Sequence, residues 1–193
     1  MRIAVLALQG AFVEHEYVLQ GIGVNTIQIR QYDDWNSDID GLVLPGGEST
    51  TMTGLLKKQN LYGTIRRAIE NGLPVLATCA GMILLAKTKD GQTSDGLSTL
   101  DVDVRRNAYG RQLGSFNRIG SINNVADNFP MVFIRAPYVN RVLAADVEIL
   151  STVDNNIVAV RQGNQLCTAF HPELTNDTRL HENFLSICRQ RAG

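Results

Sequence analysis

No run of like charges in this sequence reaches five or six residues, and no apolar run reaches the roughly 18 residues that a membrane-spanning helix needs. The first absence removes the electrostatic footprint of a nucleic-acid binder. A near balance of 18 Lys+Arg against 19 Asp+Glu, formal charge -1, removes it a second time. The second absence excludes a helical membrane span. The opening "MRIAVLALQGAF" is too short and too interrupted by Gln and Gly for a signal peptide, and reads better as a first buried strand. The expectation is a soluble, cytoplasmic protein with neither nucleic acid nor membrane as partner. Cysteine is also scarce: there are three, an odd number, with no C-x-x-C pair, so neither a disulfide framework nor a zinc knuckle is indicated. No set of His, Cys, Asp and Glu has ligand spacing, so no metal and no cofactor is expected. Internal repeats, low-complexity tracts and obvious linkers are missing too. With 193 residues and 44% hydrophobic content, residues 1–193 are expected to form one domain with a full core.

What is present has a strand–helix rhythm. "RIAVLAL" (2–8) is a continuous apolar run, "AFVEHEYVLQGI" follows with helical spacing, "VNTIQIR" (24–30) is rich in β-formers, and "GLVLPGG" (41–47) is a strand closed by a glycine turn. "TGLLKKQNLYGTIRRAIENG" reads as one helical stretch interrupted at Gly63 and stopped at Gly72. "LPVLAT" is another buried strand, and "AGMILLAK" a short helix. Strands apolar on both faces imply a parallel sheet with helices on each side. After a polar loop near "TKDGQTSDG", short β-type runs take over: "LDVDVRR", "RIGSI", "MVFIRA", "VEILSTV", "IVAVRQ" and "LCTAF". They predict antiparallel hairpins that extend the sheet. The fold class is therefore three-layer α/β, mostly parallel, with antiparallel strands in the C-terminal half and a closing helix at 179–191.

One thiol stands apart from the others. Cys188 shares a helical face with Leu180, Phe184 and Ile187, and Cys167 alternates within "LCTAF", so both read as core residues. Cys79 lies instead in "VLATCAGMILLAK" (75–87), at the seam between a strand and a helix, among the small neighbours Thr78, Ala80 and Gly81. A sharp strand-to-helix turn presents its side chain above the sheet edge, beside the first backbone N–H groups of the helix. That suits a thiolate nucleophile. A buried structural cysteine fits the same window.

A nucleophile needs a base, and the chain has three histidines. His171 ends an apolar strand in "CTAFHPELT", with Glu173 two residues on and on the same side of an extended chain. A carboxylate there would hold one ring nitrogen while the other faced a nucleophile from a different strand. A solvated strand-end turn is the plain alternative. His15, between Glu14 and Glu16, and His181, on the polar side of the last helix, both read as surface residues. In "LPGGEST" (44–50), Gly47 could donate one hydrogen bond to an oxyanion and Ala80 another, while Glu48 and Ser49 add polar groups that orient a small substrate. A simple strand-end turn explains the same glycines.

Taken in chain order, "LPGG", "TCAG" and "FHPE" resemble the triad, or class I, glutamine amidotransferases. The blocks "LALQGA", "PGGESTTM", "RNAYGRQLGSF" (106–116), "FIRAP" (133–137) and "FHPELT" (170–175) narrow this to a likeness with the glutaminase subunits of pyridoxal 5'-phosphate synthase. They span nearly the whole chain. One departure is Ala77, where the family usually has glycine two residues before the nucleophile. The resemblance implies Cys79 as nucleophile, His171 as acid/base, Glu173 as its orienter, and Gly47 and Ala80 as oxyanion donors. It places L-glutamine against Gly47, Glu48, Ser49, Arg106, Ile134 and Arg135. Without it, Arg106 and Arg135 read as surface or structural ion pairs.

The activity implied is hydrolysis of L-glutamine to glutamate and ammonia. Ammonia would pass to a (β/α)-barrel synthase subunit, in a large hetero-oligomer that assembles pyridoxal 5'-phosphate. The peptide between Gly46 and Gly47 can rotate at low steric cost, so a partner docking near 9–12 is expected to switch the oxyanion site. A thiol peptidase or hydrolase of similar build, another amidotransferase's glutaminase subunit, and a flavodoxin-like binding module are the competing functions.

Overall fold

The computed structural model of the chain describes residues 1–35, 38–106 and 114–192. Most of the block 106–116 noted above, from 107 to 113, lies outside the described residues. The chain opens with strand β1 (Arg2–Leu6), helix α1 (Phe12–Gly21), β2 (Asn25–Ile29) and β3 (Gly41–Leu44). Helices α2 (Ser49–Lys58) and α3 (Tyr62–Glu70) follow, then β4 (Val75–Thr78) and α4 (Ala80–Leu85). The later chain is strand-rich: β5 (Ala86–Lys89), β6 (Gln92–Thr93), β7 (Leu100–Arg105), β8 (Ser115–Ile122), β9 (Ala126–Ile134), β10 (Tyr138–Val142), β11 (Glu148–Val153), β12 (Asn156–Gln162) and β13 (Gln165–Thr168). Helix α5 (Arg179–Ala192) closes it.

Among the described residues, eleven strands form one sheet in the order β2-β1-β3-β4-β13-β12-β10-β7-β5-β6, with β11 paired to β12. The stretch from β2 to β13 is parallel throughout, and pairing turns antiparallel from β13 to β12. All residues of β3 and β4 are buried, as strands covered on both faces must be. Helix α4 is buried all round and packs within the molecule. Helix α3 turns Ile65 and Ile69, one helical turn apart, towards the core.

Three expectations need correction. The helical stretch after β3 is two helices, and it breaks at Asn60 rather than Gly63. Asn60 adopts φ +57, its N–H donates to Lys57 O, and the Leu61 N–H reaches back to Leu56 O at 2.9 Å. That double closure is a Schellman cap, which Asn supports because it tolerates left-handed backbone. The polar stretch near 88–96, expected as loop, contains the β5–β6 hairpin. The runs containing "RIGSI" and "MVFIRA" do not extend the main sheet: β8 and β9 form a separate two-stranded ribbon.

That ribbon matters for the site. Phe133 stacks on Phe116 and meets Phe170 edge-on, with ring centroids 4.6 and 5.7 Å apart, and Phe129 lies against Phe170 from the same strand. The Val132 carbonyl accepts a 2.9 Å hydrogen bond from the His171 N–H. The ribbon therefore grips the segment that follows β13. β1, β3, β4 and β13 all end at one rim, and the loops that leave them converge there, as at the carboxyl edge of parallel sheets generally.

Candidate active site

Cys79 forms the elbow between β4 and α4. Its backbone sits at φ 48°, ψ -103°, a region that costs a non-glycine residue about 1–3 kcal/mol and persists only where the surroundings impose it. Here the Cys79 N–H is fixed to Thr168 O at 2.7 Å, continuing the pairing of β4 with β13. The side chain is 7% exposed and opens on a pocket of about 430 Å³ at the rim. Cys167 and Cys188 are buried in the core, and burial pushes their thiols up, Cys188 to about 12.

His171 reaches the same pocket from the end of β13. Its Nδ1 lies 2.7 Å from Glu173 Oε1. The chain is not extended between them, as the spacing had suggested. Pro172–Leu174 is a turn of 3-10 helix, and this curl brings the carboxylate back under the ring. Burial works against a charged His171, but hydrogen bonds to Cys79 and Glu173 and the charges there outweigh it, pushing the pKa up to about 10. Burial also works against the Glu173 carboxylate. His15 and the hydrogen-bonded His171 overcome that, and Glu173 stays below the usual carboxylate range.

The loop after β3 packs directly on this pair. A side-chain carbon at Gly46 would stand 2.3 Å from His171 Cε1, so glycine is required by close approach. The Gly46 carbonyl accepts from the Ala11 N–H at 3.0 Å, and Gln9 Oε1 accepts from the Glu48 N–H at 2.7 Å. The loop between β1 and α1 thus holds the Gly46–Gly47 peptide in one orientation. Gly10, at φ +93 with Gly46 O where its Cβ would be, allows this contact.

Of the residues expected to bind glutamine, the pocket wall includes Gly47 and Glu48 from the loop after β3, Ser49 at the start of α2, Ile134 at the end of β9 with Arg135 next to it, and Arg106 after β7. Ala80 and Glu173 do not line it. The Glu48 carboxylate also caps α2, accepting from the Thr50 and Thr51 N–H groups at 3.1 and 2.6 Å. Those bonds, Thr51's foremost, lower its pKa to about 2 and keep it charged. Arg106 is ion-paired through Nε to Asp90 Oδ2 at 2.8 Å. Arg135 sits at φ 43, its N–H bonded to Gly114 O at 2.6 Å. Ile83, at the base of α4, joins the wall although nothing in the sequence singled it out.

The largest departure concerns the other two histidines. His15 and His181 are not on the surface; both are fully buried. His15 Nδ1 meets His181 Nε2 at 3.0 Å, while His15 Nε2 lies 3.1 Å from Thr78 Oγ1 and 3.3 Å from Glu173 Oε2. Burial lowers both pKa values, that of His181 to about 3, with His15 adding to the effect at His181 and Glu173 opposing it at each. The signal was in the spacing. His15 precedes buried Leu19 by four residues, and His181 stands three, four and seven before Phe184, Leu185 and Cys188, on their buried face.

A parallel sheet with a thiol elbow and a histidine–carboxylate pair at its rim fits an α/β thiol enzyme, and a solved structure narrows the class to the glutamine amidotransferases. The chain superposes on a crystal structure of a glutamine amidotransferase with TM-score 0.91 and 40% identity, over 97% of this chain and 98% of that one. PurLQS from Thermotoga maritima shares the fold at TM-score 0.69 and 17% identity, over 96% and 97% of the two chains. Residues 5–190 match the SNO glutamine amidotransferase family, and the chain belongs to that family. It is 53% identical over 194 residues, 99% of each chain, to the pyridoxal 5'-phosphate synthase subunit PdxT of one Streptococcus pneumoniae strain. Identity to the same subunit from another strain is 51% over the full length of both.

Proposed function

We propose that the chain is the glutaminase of a pyridoxal 5'-phosphate synthase, hydrolysing L-glutamine to glutamate and supplying the ammonia to a synthase subunit. The carrying observation is that Cys79 and His171 face one pocket with Glu173 bonded behind the ring. The family and the synthase-subunit relatives support the same activity.

With the imidazolium favoured beside it, Cys79 attacks the side-chain carbonyl of glutamine as a thiolate. The N–H groups of Gly47 and Ala80 hold the oxyanion. His171 gives its proton to the departing nitrogen, the C–N bond breaks, and ammonia leaves a γ-glutamyl thioester on Cys79. Water then gives a proton to His171 and its oxygen to the acyl carbon, releasing glutamate and restoring the thiolate. Glu48 takes the α-ammonium, using carboxylate lone pairs beyond its cap, and Arg106 or Arg135 takes the α-carboxylate, with Ser49 and Ile134 completing the pocket. Residues 1–193 act as one domain, in the cytoplasm, within a large hetero-oligomer with a (β/α)-barrel subunit. Among the described residues no helix is long and apolar enough to cross a membrane.

Docking of that subunit on 9–12 acts on the oxyanion site through the Ala11–Gly46 and Gln9–Glu48 hydrogen bonds. Steady-state glutamate release at saturating glutamine tests the whole reading. Turnover rises by about 10²-fold or more when the synthase subunit is added, the scale of one oxyanion donor. Equal turnover with and without it would remove the switch, and full activity in Cys79→Ala would remove the mechanism.

A further inference from the structure

Glu173 has two oxygens, and the triad uses one. Oε1 meets His171; Oε2 is buried, has no well-aligned hydrogen bond among the described residues, and lies 3.3 Å from His15 Nε2. The same His15 nitrogen lies 3.1 Å from Thr78 Oγ1, and Thr78 is the residue before Cys79. A single buried imidazole therefore touches both arms of the site: the strand end that carries the nucleophile and the carboxylate that orients the base.

The carboxylate dictates the protonation of what lies behind it. An ionised carboxylate only accepts, so His15 Nε2 must carry a proton, shared between Glu173 Oε2 and Thr78 Oγ1. His15 Nδ1 is then a lone pair, and His181 Nε2 must donate to it. That leaves His181 Nδ1 as a bare lone pair, and it is the His181 atom without a partner among the described residues. The reverse assignment sets a lone pair against the Glu173 charge and buries an N–H on His181 with nothing to receive it, and a buried orphan donor is rarer than a buried orphan acceptor. The groups facing His15 all favour the neutral ring or only partly oppose it. Burial and the charge on His171 disfavour a second imidazolium, Glu173 and Glu14 pull the other way without prevailing, and His181 is itself held neutral.

We propose that His15 is a positioning residue for glutamine hydrolysis, holding Glu173 and Thr78 with one N–H, and that His181 acts through His15 by fixing its tautomer. The inference rests on the reading of Cys79, His171 and Glu173 as the catalytic group. It extends the line of polar contacts inward: thiol, imidazole, carboxylate, imidazole, imidazole, with the carboxylate–His15 step the 3.3 Å contact. If Oε2 loses the His15 contact, the carboxylate can turn about its side-chain bonds, and the Nδ1–Oε1 contact that orients His171 is no longer fixed. Outer partners of this kind typically change activity by about 10–100-fold at metal-bound histidines, which sets the expected scale.

The test has two parts. Nitrogen-15 NMR of the imidazoles in the wild-type chain at neutral pH should show His15 and His181 both neutral and both protonated on Nε2. A His15 protonated on Nδ1 overturns the proposal whatever the variants do. Kinetics then compare His15→Leu, His15→Gln and His181→Phe in complex with the synthase subunit. His15→Leu should lower kcat about 10–100-fold with little change in KM. His15→Gln, whose amide can stand near Nε2, should recover most of that loss, and His181→Phe should lose less than His15→Leu. A folded His15→Leu with wild-type kcat overturns the proposal, as does a folded His15→Gln no better than Leu. If the wild-type complex releases no glutamate, the glutaminase reading fails instead, while the tautomers remain a separate observation.

Discussion

Two imidazoles share Glu173, one on each oxygen, and they end in opposite states. His171 borders the pocket, touches the thiol, and is held charged, its pKa pushed up to about 10. His15 is sealed between α1, the end of β4 and α5, and is held neutral. The difference teaches that a carboxylate alone does not decide the charge of the ring beside it. At His171 hydrogen bonds to Cys79 and Glu173 outweigh burial. At His15 burial is complete, the Glu173 contact is longer, and a positive ring already sits nearby. A second charge there would only compete for the same carboxylate.

The largest effect that breaks this contrast comes from the charged side. His171→Asn is expected to cut glutamate release by on the order of 10⁴–10⁶-fold, and Glu173→Gln by about 10²–10⁴-fold, because in the proposed mechanism the carboxylate orients the ring while the ring moves the proton. Initial rates in the synthase complex check the order. A Glu173→Gln variant as inactive as His171→Asn would mean that the carboxylate does more than orient.

A smaller effect sharpens the contrast through stability. His15 and His181 have folded-state pKa values below their ordinary value of about 6.5, so the stability they contribute is present above that pH and is lost as pH falls below it, for His181 down to about 3. Glu173 adds to the acid loss below its ordinary range. His171 is raised, so its contribution is complete below about 6.5 and is lost as pH rises through about 10. Urea midpoints measured across this span should fall on both sides. His181→Phe should flatten the acid limb and leave the alkaline limb in place; an unchanged acid limb would show that these rings are not held neutral.

The same contrast explains what could be read from residues alone. The elbow was legible because a strand running into Cys79-Ala80-Gly81 leaves little choice of geometry, and the cluster because Glu173 follows His171 so closely. The parallel half was legible for the same reason: continuous apolar strands require cover on both faces. His15 reads as a surface residue because Glu14 and Glu16 flank it, whereas Glu16 is itself mostly buried and bonds to Gln28 at 2.7 Å. Flanking acids mask the helical spacing that puts the ring on the buried face. The β8–β9 ribbon was misassigned since alternation predicts a strand but not its sheet. The packing of Phe129 and Phe133 on Phe170 and the bond from the His171 N–H to Val132 O tie the ribbon to the segment that carries His171, and neither shows in the alternation. Similarly, Asn60 and Gly63 are both helix breakers in a sequence, and the Leu56–Leu61 closure decides for Asn60.

The proposed mechanism turns on a covalent glutamyl intermediate on the elbow thiol. Its most direct test is to mix the synthase complex with glutamine, quench in acid during turnover, and map the adduct by peptide mass spectrometry. A γ-glutamyl thioester is expected on the peptide carrying Cys79, absent from those carrying Cys167 and Cys188, and more abundant when water attack is slowed. Sustained ammonia release with no acyl adduct on Cys79, or with the adduct on another residue, would contradict it.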